Sequence, residues 1–560
     1  MKNIIKTITT ILTFIVFALF SSCKYEETTN TNLLYLLAAI NMQPEKSFTV
    51  TLNENNGSSN PAVEEQIFTS KSCTLKSAKN LGFSKENHVF KGWSLSPSST
   101  EIAHTDAETF MPETDISLYA IWQEASELKS VSQIRDIFAK LVNTEPDYFD
   151  YVYFIKAFKS ADTAPASPEF FLDKNNTIPV FYDKDTSTIY YYSAGAKLKL
   201  PANSSCFFKN MSYLEYIETK DFDTSGVTDM SWMFEKCKRL KDIDVTSFDT
   251  SNVTDMKSMF SNCESLKTLE LLGMNTKNAK DMSNMFSGCY NIYTLDVSSF
   301  DTSNVTNMSY MFHGCSKLIN LDLSNFNTVN VTDMSGLFCA CRSLETLNIK
   351  KFNTQNVTTM EKMFFNCASV INLDVTHFNT GKVKNMDLMF SSCNFSQHSI
   401  NLNNFDTSNV TTMEYMFAWC SSLWELDLGN FDTTNVKNMG GIFWNCENIE
   451  KLNLRSFNTA KVKYMSHMFG ECECLYEIDL SSFDFSSLTY FHAMFYNCRD
   501  LHKIYTSQNA DLTYINDDLF SGCVSLEGGA GTKYSENHTD SPYAKVDGGT
   551  SSPGYFSVKE

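Results

Sequence analysis

Phenylalanine recurs along most of this chain at a nearly fixed interval. It stands at Phe208, Phe234, Phe260, Phe286, Phe312, Phe338, Phe364, Phe390, Phe417, Phe443, Phe469, Phe495 and Phe520, in steps of 25 to 27 residues that are mostly 26. Cysteine keeps the same beat three residues later, from Cys237 and Cys263 to Cys498 and Cys523, with Met211 in that slot of the first unit. Self-similarity at such a period marks a repeat array, in which one unit cannot bury its own apolar face and must stack on the next.

Read from Leu318, one unit runs LINLDLSNFNTVNVTDMSGLFCAC. Leu318, Leu321 and Leu323 have the LxxLxL spacing of a short strand that turns alternate side chains inward. Phe326 marks the turn away from it, and Asn327-Thr328, like Asp301-Thr302, Asn353-Thr354 and Asp432-Thr433, supplies side chains that hydrogen-bond local backbone in turns. Met256, Met259, Phe260 and Cys263 then stand at i, i+3, i+4 and i+7, which predicts one face of a two-turn helix with Thr254 as its cap. Each unit is therefore expected to be strand, corner, short helix, corner, an α/β solenoid of about 13 turns. At ~4.8 Å between strands, such a stack is roughly 60 Å long.

Composition narrows the class. The 560 residues are 42% hydrophobic and 20% charged, which is neither disordered nor membrane-embedded. With 45 basic against 65 acidic side chains the net charge is -20, and nucleic acid is excluded as a partner because counterion release needs a basic patch. Lys2 and Lys6 precede an apolar run from Ile8 to Phe20, long enough for an export signal and too short to span a bilayer. Losing residues 1–22 with those two lysines takes the charge to -22.

Three segments carry family resemblances. Leu19-Phe20-Ser21-Ser22-Cys23 resembles the bacterial lipobox, with Phe20 where an aliphatic residue is usual; the resemblance implies a lipid on Cys23 and anchoring in the outer membrane. LDLSNFNTVNVTDMSGLF and LDVSSFDTSNVTNMSYMFHGCSKL resemble the BspA-type leucine-rich repeats of bacterial surface proteins, which implies a right-handed solenoid. Phe48-Thr49-Val50-Thr51-Leu52, Phe90-Lys91-Gly92-Trp93 and Ile116-Ser117-Leu118-Tyr119-Ala120-Ile121-Trp122 resemble the internalin B-type, or Listeria-Bacteroides, repeat, which implies a small β-rich ubiquitin-like domain. The expected organisation is a signal peptide over 1–22, a tether over 23–46, the internalin B-type domain over 47–123, a linker helix and solenoid cap over 124–204, repeats over 205–526 and a C-terminal cap over 527–560. Residues 126–141 read as an amphipathic helix and 179–192 as a hairpin.

The candidate chemistry is mostly core. Twelve of 17 cysteines lie on the ladder and point inward with the Met/Phe face, so they read as reduced, buried hydrophobes. Cys339 and Cys474 make Cys-x-Cys pairs with ladder residues, a spacing that fits no zinc pattern. Ten methionines fall in the column Met230 to Met465 and nine in Met233 to Met494, which explains 19 of 24 by packing. His313, His377 and His467 read as exposed variable positions, and Asn-Val-Thr, as at Asn252, as a structural turn. No catalytic constellation or cofactor motif is present, so the chain is not expected to be an enzyme.

One outward column stands apart. It reads Asp244, Glu270, Asp296, Asp322, Asn348, Asp374, Asn401, Asp427, Asn453, Asp479 and Tyr505. Neighbouring carboxylates at ~5 Å in water repel by about 0.8 kcal/mol, so something must relieve them. Solvation with hydrogen bonds to nearby Ser, Thr and backbone is one reading; a stripe that takes up calcium or docks a basic partner is the other. The functional expectation is a surface adhesin whose repeats bind host matrix proteins, host receptors or other bacteria. An envelope scaffold without a host ligand is the alternative.

Overall fold

The computed structural model describes residues 47–559 except 69–72, 79, 84, 86–87, 125, 146–148, 150–151, 158–167, 175, 177, 192–196, 371, 396–397 and 514–517. The signal peptide, Cys23 and the tether lie outside the described residues. The chain divides into two compact units, Met1–Glu124 and Ala125–Glu560.

In the first unit, alternation in FTVTLN makes β1 (Phe48–Asn53), with Val50 and Leu52 fully buried. Strand β2 (Val63–Phe68) pairs antiparallel with it, and β3 (His88–Ser94) pairs antiparallel with β4 (Ile116–Glu124). Strands β1 and β4 run parallel, so the sheet order is β2-β1-β4-β3. The Phe-Lys-Gly-Trp block has a specific cause. A bulge falls between Phe90 and Gly92, and a Cβ on Gly92 would stand 2.9 Å from the His104 carbonyl. Glycine lets the strand pass there and brings Trp93 into the core.

The second unit opens with the expected helix, α1, but at Val131–Val142. Ser130 sets the start: the Gln133 N–H donates to its hydroxyl, and its own N–H donates back to Gln133 Oε1 at 3.1 Å. Buried Arg135 donates to the carbonyls of Cys206 at 3.0 Å and Lys209 at 2.8 Å, which covers backbone acceptors of the first coil. The hairpin is present as Pro179–Asp183 paired antiparallel with Thr188–Tyr191. Strand Phe154–Ala157 pairs with both Thr188–Tyr191 and Tyr216–Ile217, which joins this segment to the first repeat.

The repeats stack as parallel coils. A ladder of bridges runs without a break from Asn203 through Asp229, Asp255, Asp281, Asn307, Asp333, Thr359, Asn385, Thr412, Asn438 and Tyr464 to Tyr490. On another side, short strands such as Asn320–Asp322 and Thr346–Asn348 pair in parallel, one repeat apart. The predicted helix is not there. Among the described residues α1 is the only α-helix, and the α/β expectation gives way to strands and turns.

The reason is local. Every fourth residue of the Met/Phe segment has positive φ, as at Trp232 and Lys236 or Ser258 and Asn262, which stops helical propagation. Met233 and Cys237 donate to the carbonyls three residues back, while the N–H groups of Met230, Trp232, Phe234 and Lys236 turn out to Asp255, Lys257, Met259 and Ser261 of the next coil. These consecutive turns bury the same positions a helix would, so the apolar spacing does not tell the two apart. Thr254 is not a helix cap either; its N–H and hydroxyl both donate to the Thr228 carbonyl, at 2.9 and 3.2 Å.

The side-chain columns knit neighbouring coils. The rings from Phe208 to Phe520 form one continuous stack, for example Phe234 on Phe260 at 5.6 Å and 4°, and Phe312 on Phe338 at 6.0 Å and 3°. Each ladder thiol donates to the phenylalanine carbonyl of the preceding coil, as Cys315 does to Phe286 at 3.3 Å and Cys367 to Phe338 at 3.0 Å. Burial pushes the Cys237, Cys289, Cys420 and Cys472 thiols up to about 12. Buried Thr302 donates to the Asn327 carbonyl at 3.0 Å and accepts the Asn327 N–H at 2.8 Å, and this pattern repeats down its column. Asn278 Nδ2 donates to the Ser251 carbonyl at 2.7 Å, which is what the Asn column does structurally.

Two outcomes follow. Phe312→Ala is expected to destabilise the array by about 3–5 kcal/mol in chemical denaturation, because it opens a cavity in a continuous stack. In native protein at pH 8, peptide mass spectrometry after alkylation is expected to find Cys474, which is only half-buried, modified well before any of the buried cysteines from Cys237 to Cys523.

Candidate functional site

The outward surface of the short strands holds the acidic column. Asp244, Glu270, Asp296, Asp322, Asp374 and Asp427 are exposed and Asp479 is half-buried, while Leu321, Leu323, Leu426 and Leu428 beside them are buried. Parallel register sets the column: Asp244 bridges Glu270, Asp322 opposes Asn348, Asp427 opposes Asn453, and Asp479 opposes Tyr505. The structure thus brings the seven residues into one line along the coils.

Each aspartate is held by its own turn. Asp244 Oδ1 accepts the Thr246 N–H at 3.0 Å and the Thr246 hydroxyl at 2.6 Å, and Asp374 does the same with Thr376. Asp296 and Asp322 accept the N–H groups of Ser298 and Ser324 at 2.9 Å. Glu270, one carbon longer, reaches the Leu272 N–H at 3.3 Å.

Where asparagine follows in the column, it donates across coils, from Asn348 to Asp322 at 2.9 Å and from Asn453 to Asp427 at 2.7 Å. Gly429 makes room for the second of these, since a Cβ there would lie 2.7 Å from Asn453 Nδ2. These bonds relieve the stacked charge. The Thr246 hydroxyl and N–H hold the Asp244 carboxyl below its ordinary range, as Thr376 does for Asp374 and Ser298 and Ser324 do for Asp296 and Asp322. Partial burial pulls Asp479 up, but Lys559 and Ser481 leave it lowered overall. Among the described residues no three His, Cys, Asp or Glu side chains converge as a metal site requires.

Glu270, Asp296 and Asp322, on consecutive coils, line one open groove of about 690 Å³ together with Leu272, Leu295 and Asn325. Aromatic rings flank the column farther along: His398 stacks on Trp424 at 4.0 Å and Tyr476 on His502 at 4.6 Å, with Trp424 51% and Tyr476 56% exposed. Their signal was in the sequence, three residues ahead of the acidic column.

A second acidic line also escaped the sequence reading. Asp229, Asp255, Asp281 and Asp333 are half-buried on the unbroken bridge ladder, and burial, with Asp229 and Asp281 on either side, raises Asp255. The histidines need correction. His313 and His467 are half-buried, His313 beside Ser287 Oγ at 3.0 Å and His467 against Trp444 at 5.2 Å, and only His377 of the three is exposed.

Comparison with known proteins places these features. A family described as "Mycoplasma protein of unknown function, DUF285" matches residues 202–318, 289–401 and 393–509, more than half of the chain taken together. The Listeria-Bacteroides repeat domain matches residues 48–121, in agreement with the resemblance drawn from the three blocks there. No curated protein matches. Among solved structures, a leucine-rich repeat protein from Bacteroides ovatus is 16% identical, over 64% of this chain and 94% of that one, with a TM-score of 0.30. The TLR13–ssRNA13 complex is 14% identical, over 59% and 54%, with a TM-score of 0.14.

The lowered carboxyls set an acid limb. A depressed folded pKa gives stability that is present above the unfolded value of 3.8 and lost as pH falls through the folded value. Melting temperature is therefore expected to decline below about pH 4. Replacing Asp244, Asp296, Asp322 and Asp374 together by Asn is expected to flatten that decline relative to the parent protein.

Proposed function

This chain belongs to the DUF285 family, and from that premise we propose that it is a non-enzymatic protein-interaction scaffold on a bacterial surface. In this reading the coils form a right-handed, BspA-type leucine-rich-repeat solenoid of about 13 turns, acting as an adhesin for host matrix proteins, host receptors or other bacteria. A lipid on Cys23 ties it to the outer membrane, and the first unit is a ubiquitin-like spacer. The β2-β1-β4-β3 order, with its parallel central pair, supports the last point.

One observation carries the reading. The inward columns are nearly invariant from coil to coil, whereas the outward ones change from Asp and Glu to Asn, Tyr and Trp over a long exposed surface. A repeated backbone with a varied exterior suits extended, multivalent recognition. The lipid reading draws on the apolar run from Ile8 to Phe20 and the Ser21-Ser22-Cys23 that follows it.

Protease shaving of intact cells, followed by mass spectrometry, tests the placement. Peptides from residues 205–526 are expected in the released fraction while periplasmic marker proteins stay intact. Their appearance only after lysis, with the purified protein shown to be cleavable, would replace the adhesin by a periplasmic scaffold.

A further inference from the structure

The acidic net charge hides one basic corner. Two columns of the array change there over four consecutive coils, which carry Lys382 and Lys384, Asn409 and Thr411, Asn435 and Lys437, and Lys461 and Lys463. In the other coils threonine mostly holds the second place. Its hydroxyl donates to the carbonyl one coil back, as Thr254 does to Thr228 and Thr332 to Thr306, both at 3.2 Å. Asparagine mostly holds the first, with Asn304 donating to the Lys277 carbonyl and Asn330 to the Ser303 carbonyl at 2.8 Å. Lysine at five of these eight positions gives up those bonds to backbone, so the stacking of coils does not account for it.

All five lysines are exposed. Lys382 and Lys461 donate to neutral groups, Asn356 Oδ1 at 2.7 Å and Asn435 Oδ1 at 2.9 Å. Among the described residues none of the five pairs with an acid, unlike Lys209, Lys238 and Lys241, which pair with Glu235, Glu264 and Glu215. Asp406 and Asp432, on the same corner, accept the N–H groups of Ser408 and Thr434 in their own coils. At ~4.8 Å per coil, Lys384 and Lys463 stand roughly 15 Å apart along the array with Lys437 between them. Such a line of ammonium groups repels itself until an anion lies along it.

A second feature adjoins the line. Tyr464, next to Lys463, stacks on Tyr490 at 5.0 Å and 2°, and the two rings are 42% and 55% exposed. Asn385, Thr412 and Asn438 hold this place in the preceding coils. The Tyr490 N–H donates to the Lys463 carbonyl at 2.9 Å, so lysines and rings share one surface. Exposed rings with hydroxyls present the mixture of apolar and polar surface that sugar rings match.

We propose that this corner binds a linear acidic polysaccharide, with sulfate or carboxylate groups at Lys382, Lys384, Lys437, Lys461 and Lys463 and sugar rings against Tyr464 and Tyr490. Charge complementarity selects a polyanion, and the tyrosine pair selects sugar. No arginine, which nucleic-acid recognition favours, stands at these corner positions. The inference adds a glycan to the protein partners of the scaffold reading and does not depend on where the chain resides.

The test is biolayer interferometry of the full chain on immobilised heparin, a sulfated polysaccharide, over a series of NaCl concentrations. Binding is expected to weaken as salt rises, because bound counterions are released. Lys384→Thr/Lys437→Thr/Lys463→Thr uses the residue this column carries elsewhere, so it is compatible with the fold. It is expected to weaken binding by about tenfold, as three exposed ion pairs together give. Tyr464→Asn/Tyr490→Thr, which also uses residues of its own column, is expected to weaken it by about threefold. The control Lys277→Ser/Lys350→Thr/Lys351→Asn removes three exposed lysines that lie by Asp301, Asp374 and Asp322, and is expected to bind as the parent protein does.

Failure of the parent protein to bind heparin overturns the proposal, as does a corner or tyrosine variant that binds as the parent does. Equal weakening in the control would reduce the effect to net charge. Duplex DNA bound as tightly as heparin would make the corner a general polyanion surface, and either result overturns the proposal as well.

Discussion

A coil of about 26 residues cannot satisfy its own backbone. Its turns close some hydrogen bonds internally, but the N–H groups of Met230, Trp232, Phe234 and Lys236 find acceptors only on the following coil, and the Phe208 carbonyl receives the thiol of Cys237 from that coil as well. Because an unpaired buried polar group costs about 1–3 kcal/mol, no coil is stable alone and the whole array stands on the fit between neighbours. The residue choices follow from this constraint. Cysteine is small enough to fill the inward slot and still carries a donor. Threonine in its buried column both donates to and accepts from the next coil, so it serves two backbone groups at once.

Ends are where such a stack is vulnerable, since the last coil exposes donors and acceptors with no neighbour. The first coil is met by Arg135 of α1, whose guanidinium reaches two of its carbonyls. The last is closed by strand Phe556–Val558, with Tyr555 and Phe556 set edge-on against Phe520 at the end of the ring stack. That closing strand also carries Lys559 to Asp479. The strand that ends the fold therefore also neutralises the last carboxylate of the column.

The site inherits its order from the same repetition. Side chains of the acidic column are positioned by bonds within two residues, from Asp244 to Thr246 and from Asp322 to Ser324, so stacking the coils aligns them without any further design. Like charges one coil apart would otherwise oppose stacking. Their turn hydrogen bonds and the intervening asparagines offset this, and outward positions are left free to vary without disturbing the core.

Much of this was legible from residue spacing. The period, the inward columns, the hairpin at 179–192, an amphipathic helix near 126–141 and the line from Asp244 to Asp479 all depend on short-range pattern, which the sequence carries directly, whereas the start of that helix at Val131 behind the Ser130 cap came from the structure. The Met256, Met259, Phe260, Cys263 spacing misled, because consecutive turns and a helix bury the same positions. Only the direction of the N–H groups separates them, and that direction is chosen by the acceptors of the next coil. The groove at Glu270, Asp296 and Asp322, the seat of Lys559 and the half-buried line from Asp229 to Asp333 were likewise decided by tertiary structure. They join residues one repeat or more apart, 80 positions in the case of Lys559 and Asp479, and their distances exist only once the coils are stacked.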